Sequence, residues 1–115
     1  MNSLINMEII GIKGEDMVNK NKINKNENLN IHPYKCKVCG MGNIEQSYDI
    51  CQFCGWEDDS LQNENPNYMG GANHMSLNQY NKFWEENKEE ILKAKNTCFK
   101  AIDLAREYYK KNINK

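Results

Sequence analysis

The sequence predicts a small α+β fold, a β-hairpin pinned by cysteines and followed by one or two C-terminal α-helices, on three observations. Residues 34–59, "YKCKVCGMGNIEQSYDICQFCGWEDD", carry four of the five cysteines in two C-x-x-C-G units. From Ser76 onward, apolar residues recur at helical spacing behind a complete N-terminal capping signal. Finally, 115 residues with a mean hydropathy of −0.88 offer too little apolar surface for a large core, so the fold needs a further staple.

Residues 1–30 add little to such a core. "NKNKINKNENLN", 19–30, is an Asn/Lys tract with only Ile23 and Leu29 as apolar residues, which predicts a disordered leader. "KGED" just before Met17 is encodable by a purine-rich string of ribosome-binding type, so Met17 is expected to be the true start. "MNSLINMEIIGI" lacks the basic start and small-residue cleavage site of a secretory signal. No stretch reaches the length of a membrane span. The expectation is a cytoplasmic protein with reduced thiols, in which paired cysteines point to metal or redox chemistry before disulfides.

Residues 31–75 hold that chemistry. Cys36 and Cys39 are separated by two residues, and eleven residues later Cys51 and Cys54 repeat the spacing. C-x-x-C turns two sulfurs into one tight loop, so each pair supplies two corners of a tetrahedron. Gly40 and Gly55 follow the pairs, where a turn needs positive φ and backbone N–H groups can aim at thiolates. The spacer is long enough for a hairpin with "NIE" and "YDI" as strands and Gln46–Ser47 at the tip. This spells a zinc ribbon. Four cysteines close the coordination sphere, so the expected Zn2+ is single and structural, with iron in a rubredoxin-like site as the rival. A thioredoxin-like activity is disfavoured because no βαβ pattern surrounds either pair. His32 and His74 read as ordinary loop histidines.

Charge bears on partners. From Ile31 to His74 the formal charge is −4, and four thiolates with one Zn2+ bring it to −6, whereas residues 75–115 carry +3. An acidic ribbon matches a phosphate backbone poorly, which makes nucleic acid an unfavoured partner. Lys35 and Lys37, flanking Cys36, are read as softening the negative cluster.

"DICQFCGWEDD" and "NPNYMGGANHMSLN" resemble the CPCC family of small bacterial cysteine-rich proteins, over roughly Tyr34 to Tyr80. The resemblance implies a zinc-binding fold and no settled biochemical activity. Where the family carries C-P-C-C, this chain reads "CKVC", with Lys37 and Val38, so any role of the extra cysteine is absent here.

In the loop itself, Trp56 is expected to lid the metal turn, with Phe53 alongside. Glu57, Asp58 and Asp59 form an acid run whose plain reading is a solvated loop or helix start. The sharper reading is that two of them join Asn73 and His74 in a polar cleft that binds a ligand, made possible by a tight turn at Gly70–Gly71.

Residues 76–115 read as a helical segment packed on the ribbon. Ser76 and Gln79 make a capping box, and Met75 with Tyr80 has staple spacing. Tyr80, Phe83 and Trp84 form an aromatic stripe suited to core packing. A break near Asn87 is expected, because Asn87 can cap, Glu89 and Glu90 then enter a first turn, and Lys110 and Lys111 a last one. The second helix would carry a narrow face through Cys98, Ala101, Ile102, Ala105 and Tyr109. Leu92, Phe99 and Leu104 lie off that face, a hint of a protein partner or self-association.

Three functions follow, in order of preference. The first is a structural-zinc binding module that engages a protein partner through its acidic ribbon and helix surface. The second is an enzyme or second-ligand site built on Asp58, Asp59, Asn73 and His74. The third is a nucleic-acid-associated ribbon. No membrane association is expected, because the polar helix face mixes both charge signs.

Overall fold

The computed structural model describes residues 31–114; the expected leader at 1–30, with Met17, lies outside the described residues. Strand β1, Tyr34–Lys35, pairs antiparallel with β2, Asn43–Ile44, with Tyr34 opposite Ile44 and Lys35 opposite Asn43. The first knuckle is the turn between them, and the Lys35 ammonium donates to the Asn43 amide oxygen at 2.8 Å across the pair.

The spacer does turn at 46–49, where Asp49 N–H donates to the Gln46 carbonyl and the Asp49 carboxylate accepts from Glu45 and Gln46 N–H. Its arms do not pair with each other as the "NIE"/"YDI" hairpin required. "NI" pairs back with β1, and Ile50 bridges forward to Glu57. Each knuckle therefore closes its own short hairpin. The reason is local: a C-x-x-C-G turn reverses the chain by itself, so the nearest backbone for each arm lies across its own knuckle. Cys51 N–H donates to the Trp56 carbonyl and Asp58 N–H to the Asp49 carbonyl, both at 2.9 Å.

Three helices follow, α1 at Ser60–Glu64, α2 at Leu77–Lys93 and α3 at Thr97–Asn112. Helix α2 starts as its sequence requires: the Ser76 hydroxyl accepts from Gln79 N–H, and the Gln79 side chain accepts from Ser76 N–H. The helical segment is indeed two helices, but the break lies at 94–96 and not near Asn87. Asn96 caps α3 by accepting from Phe99 N–H, while Asn87, inside α2, donates back to the Phe83 carbonyl. Phe83, Trp84 and Ile91 share one buried stripe that runs straight through position 87, so burial carries the helix past it. Lys110 and Lys111 do occupy the last turn of α3.

One core joins the cysteines to the helices. Trp56, Phe83, Ile44 and Ile91 are among its fully buried side chains, with Tyr80, Trp84, Ala101 and Ala105 around them. The Tyr80 ring meets Trp56 and Phe83 edge-on, each at 5.2 Å between centroids. Two hydrogen bonds lock helices to the second knuckle: Tyr80 OH donates to the Cys54 carbonyl and Thr97 OH to the Gln52 carbonyl, both at 2.8 Å. Trp56 is more than a lid. It is central, with its indole N–H donated to the Asn63 side chain at 3.2 Å.

A candidate metal centre and the polar loop beside it

Cys36, Cys39, Cys51 and Cys54 bring their four sulfurs within 4.8 Å of one another. Two of the separations, Cys36–Cys54 and Cys39–Cys51, are 3.5 Å. That is far beyond a disulfide bond of about 2.05 Å. It is close to the spacing of about 3.8 Å that a tetrahedral ion with sulfur at about 2.3 Å imposes on its ligands.

The knuckles explain how the chain reaches this arrangement. Gly40 N–H donates to the Cys36 carbonyl at 3.0 Å and Gly55 N–H to the Cys51 carbonyl at 2.9 Å, the same bond in each turn. Both glycines have positive φ, +73° and +81°, where a side chain is strained. Backbone N–H groups of Val38, Met41 and Phe53 point at the sulfurs of Cys36, Cys39 and Cys51, each at 3.4 Å. Such donors favour the thiolate form. Gly42, which sequence reasoning passed over, matters as much. A Cβ there would stand 2.5 Å from the Cys51 sulfur, so only glycine lets the first turn pass the second pair.

Four sulfurs this close cannot all carry charge without a cation among them. Hydrogen bonding from Cys36 draws Cys39 well below the ordinary thiol range and Cys51 down to about 6. Hydrogen bonding to Cys39 pushes Cys36 up, and hydrogen bonding with Cys36 pushes Cys54 up. The four cysteines are thus positioned to bind a metal ion, and an all-sulfur tetrahedral set suits zinc or iron.

The acid run beside this centre separates into three roles. Asp58 is 1% exposed and turns inward. It accepts from the Tyr34 phenol at 2.8 and 3.0 Å and from the Asn63 amide at 2.9 Å, with His32 Nε2 at 3.0 Å. Burial, reinforced by this bond to Asp58, pushes the Tyr34 phenol above its ordinary range. Lys37 lies 4.3 Å above the Tyr34 ring, so it stacks on an aromatic face beside the cluster. Asp59, 6% exposed, is the N-cap of α1: it accepts from Leu61 and Gln62 N–H and from Ala72 N–H. A Cβ on Gly71 would come within 2.6 Å of that carboxylate, so Gly71 is held to glycine by the close approach.

Asn73 does not face the carboxylates of Asp58 or Asp59 either. Its amide pairs with both backbone groups of Glu57 and donates to Gln62, imitating a third strand beside the second hairpin. Gln62, fully buried, bonds the carbonyls of Tyr68, Asn73 and Met75 and accepts from Asn73 N–H. These two amides hold the whole 65–76 loop in place. His74 instead stacks on Tyr109 of α3, 5.1 Å between centroids. The structure brings Glu57, Asn73 and His74 to one cleft and places Asp58 and Asp59 elsewhere. Nothing in the spacing of Gln62 advertised its role; its single signal was a polar residue where α1 needed an inward face.

The family model described as Cysteine-rich CPCC matches residues 34–97, more than half of the chain. The chain belongs to the CPCC family. Comparison with curated proteins gives no match. The matched stretch of this CPCC chain takes in both knuckles, the Gln62–Asn73 loop and α2, and reaches the first residue of α3. Its first knuckle departs from the family name, having Lys37 and Val38 between Cys36 and Cys39, yet both knuckles keep the same backbone bond. Among the described residues no helix is long and apolar enough to cross a membrane.

Proposed function

We propose that this CPCC chain is a zinc-stapled binding module, with one structural Zn2+ held by Cys36, Cys39, Cys51 and Cys54. The observation that carries the reading is the closed, all-cysteine set of four sulfurs, with backbone donors turned onto three of them. A bound ion would neutralise the mutual repulsion of the thiolates and tie the two knuckles together. With four protein ligands, no position remains for substrate or water.

The role beyond the metal is engagement of a protein partner. Phe99 is 68% exposed and Leu92 44%, two large apolar side chains on the paired helices. Glu45 and Glu64 are the exposed acids of the ribbon, with Asp49 and Glu57 half-buried, whereas Asp58 and Asp59 face inward. An enzymatic use of those two aspartates finds no support, since their oxygens are engaged by fold-making donors.

Elemental analysis of freshly purified protein is the test, together with a thermal melt of Cys51→Ser. Zinc at one equivalent and a large loss of stability are expected, since structural zinc in small domains supplies about 10–16 kcal/mol. Iron at one equivalent would replace zinc in the reading, and neither metal would end it. For the partner, Phe99→Asp bait should lose a protein that wild-type bait retains.

A further inference from the structure

A cleft of about 600 Å³ opens between the second knuckle, the 72–75 segment and the face of α3. That volume is in the range of small-molecule sites, about 300–1,000 Å³. Its floor is apolar, with Ile50, Met75, Ile102 and Ala105, and the stacked rings of His74 and Tyr109 make an aromatic wall. The walls are set in place independently of any ligand. Asn73 is clamped to Glu57 and Gln62, and Gly55 lies so close to α3 that a Cβ would meet Ile102 at 2.9 Å.

The lining carries two cations and one acid, with the cations grouped on α3. Arg106 and Lys110, one turn apart on α3, line the cleft against Glu57 as its lining acid. The Arg106 guanidinium has Asp103 at 3.8 Å, with both side chains more than 70% exposed, a contact too loose to hold it. A concave apolar surface with two exposed cations at one edge is complementary to an anion that carries an apolar body.

We propose that this cleft binds a small organic carboxylate with an apolar or aromatic body, the body lying over Ile102 and Ala105 and the carboxylate taken by Arg106 and Lys110. The site is separate from the four cysteines and goes beyond the metal-stapled reading; it can fail while the metal content stands.

The test uses the full chain, metal-loaded as purified and labelled with 15N, titrated with 4-phenylbutyrate and with its neutral amide, 4-phenylbutanamide. Saturable shifts at the amides of Ala72, His74, Ala105 and Tyr109 are expected, with the acid bound about tenfold tighter than the amide. Arg106→Gln/Lys110→Gln, exposed positions whose change leaves the rest of the spectrum in place, should erase the acid's advantage and leave amide binding unaltered. Equal binding of acid and amide by the wild type overturns the proposal. So do shifts scattered over the surface or no saturation at millimolar probe. If the same amides move on raising protein concentration without probe, a second copy fills the cleft and the carboxylate reading is likewise lost.

Discussion

A Cβ on Gly42 would lie 2.5 Å from the sulfur of Cys51, although Gly42 has an ordinary backbone angle. Gly40 is the converse: its φ is +73°, and a Cβ there would meet nothing within 4 Å. The two glycines of one knuckle are therefore required for different reasons, one by a neighbour across the metal centre and one by its own torsion.

Opposite consequences follow for alanine. Gly40→Ala should lower stability by about 1–2 kcal/mol through left-handed strain while leaving metal affinity nearly intact. Gly42→Ala must displace a sulfur, so metal affinity should fall with the fold. Competition with a chromophoric chelator, read beside urea melts, separates the two; equal loss of affinity in both variants contradicts the assignment.

Asp58→Ala is expected to cost about 2–3 kcal/mol, because it strands the Tyr34 phenol and the Asn63 amide around a buried site. Asp59→Ala removes the α1 cap and the acceptor of Ala72 N–H, with a smaller loss of about 1 kcal/mol. Urea unfolding of each variant checks the order. Outward, ligand-binding aspartates would instead leave both melts unchanged.

The position of the helix break gives a third prediction. Asn96→Ala should destabilise by about 1 kcal/mol through loss of the α3 cap. Asn87→Ala, inside α2, should fall within about half a kcal/mol of wild type, since better helix propensity offsets the lost bond to the Phe83 carbonyl. Thermal melts decide, and a reversed order would return the break to position 87.

Alkaline pH supplies the fourth. Burial pushes the Tyr80 phenol above its ordinary range, and Tyr34 shifts the same way. A group whose folded pKa is raised binds its proton more tightly in the native state, so its contribution is complete below the unfolded value and shrinks as pH rises past it. Stability should thus decline above about pH 10, the ordinary phenol value. Tyr80→Phe should flatten the decline while lowering stability below it, because the bond to the Cys54 carbonyl is lost. Urea midpoints measured on both sides of that pH supply the test.

Several features of the fold are legible in the order of the residues. C-x-x-C-G spacing announces two matching turns, and Gly40 and Gly55 do take positive φ beneath them. Ser76 and Gln79 announce a helix start that forms as written. The strand partners and the site of the helix break are not legible, for a shared reason: more than one local solution satisfies the same residues. Asn87 and Asn96 carry the same capping chemistry, and only the buried stripe through Phe83, Trp84 and Ile91 selects between them. The acid run is opaque because spacing does not say which way a carboxylate turns.

Bonds that close within a few residues are written in local order, and this is what the sequence alone determined: the knuckles, the capping box and the cysteine set able to share one ion. Tertiary structure decided the rest. Asp58 faces Tyr34, 24 positions back, and Tyr80 reaches Cys54, 26 positions away. Arg106 and Lys110 share a cleft with Ile50 only because α3 packs against Gly55. Each of these depends on which distant donors and surfaces arrive at the same point, a matter of packing the whole chain that no short window of residues encodes.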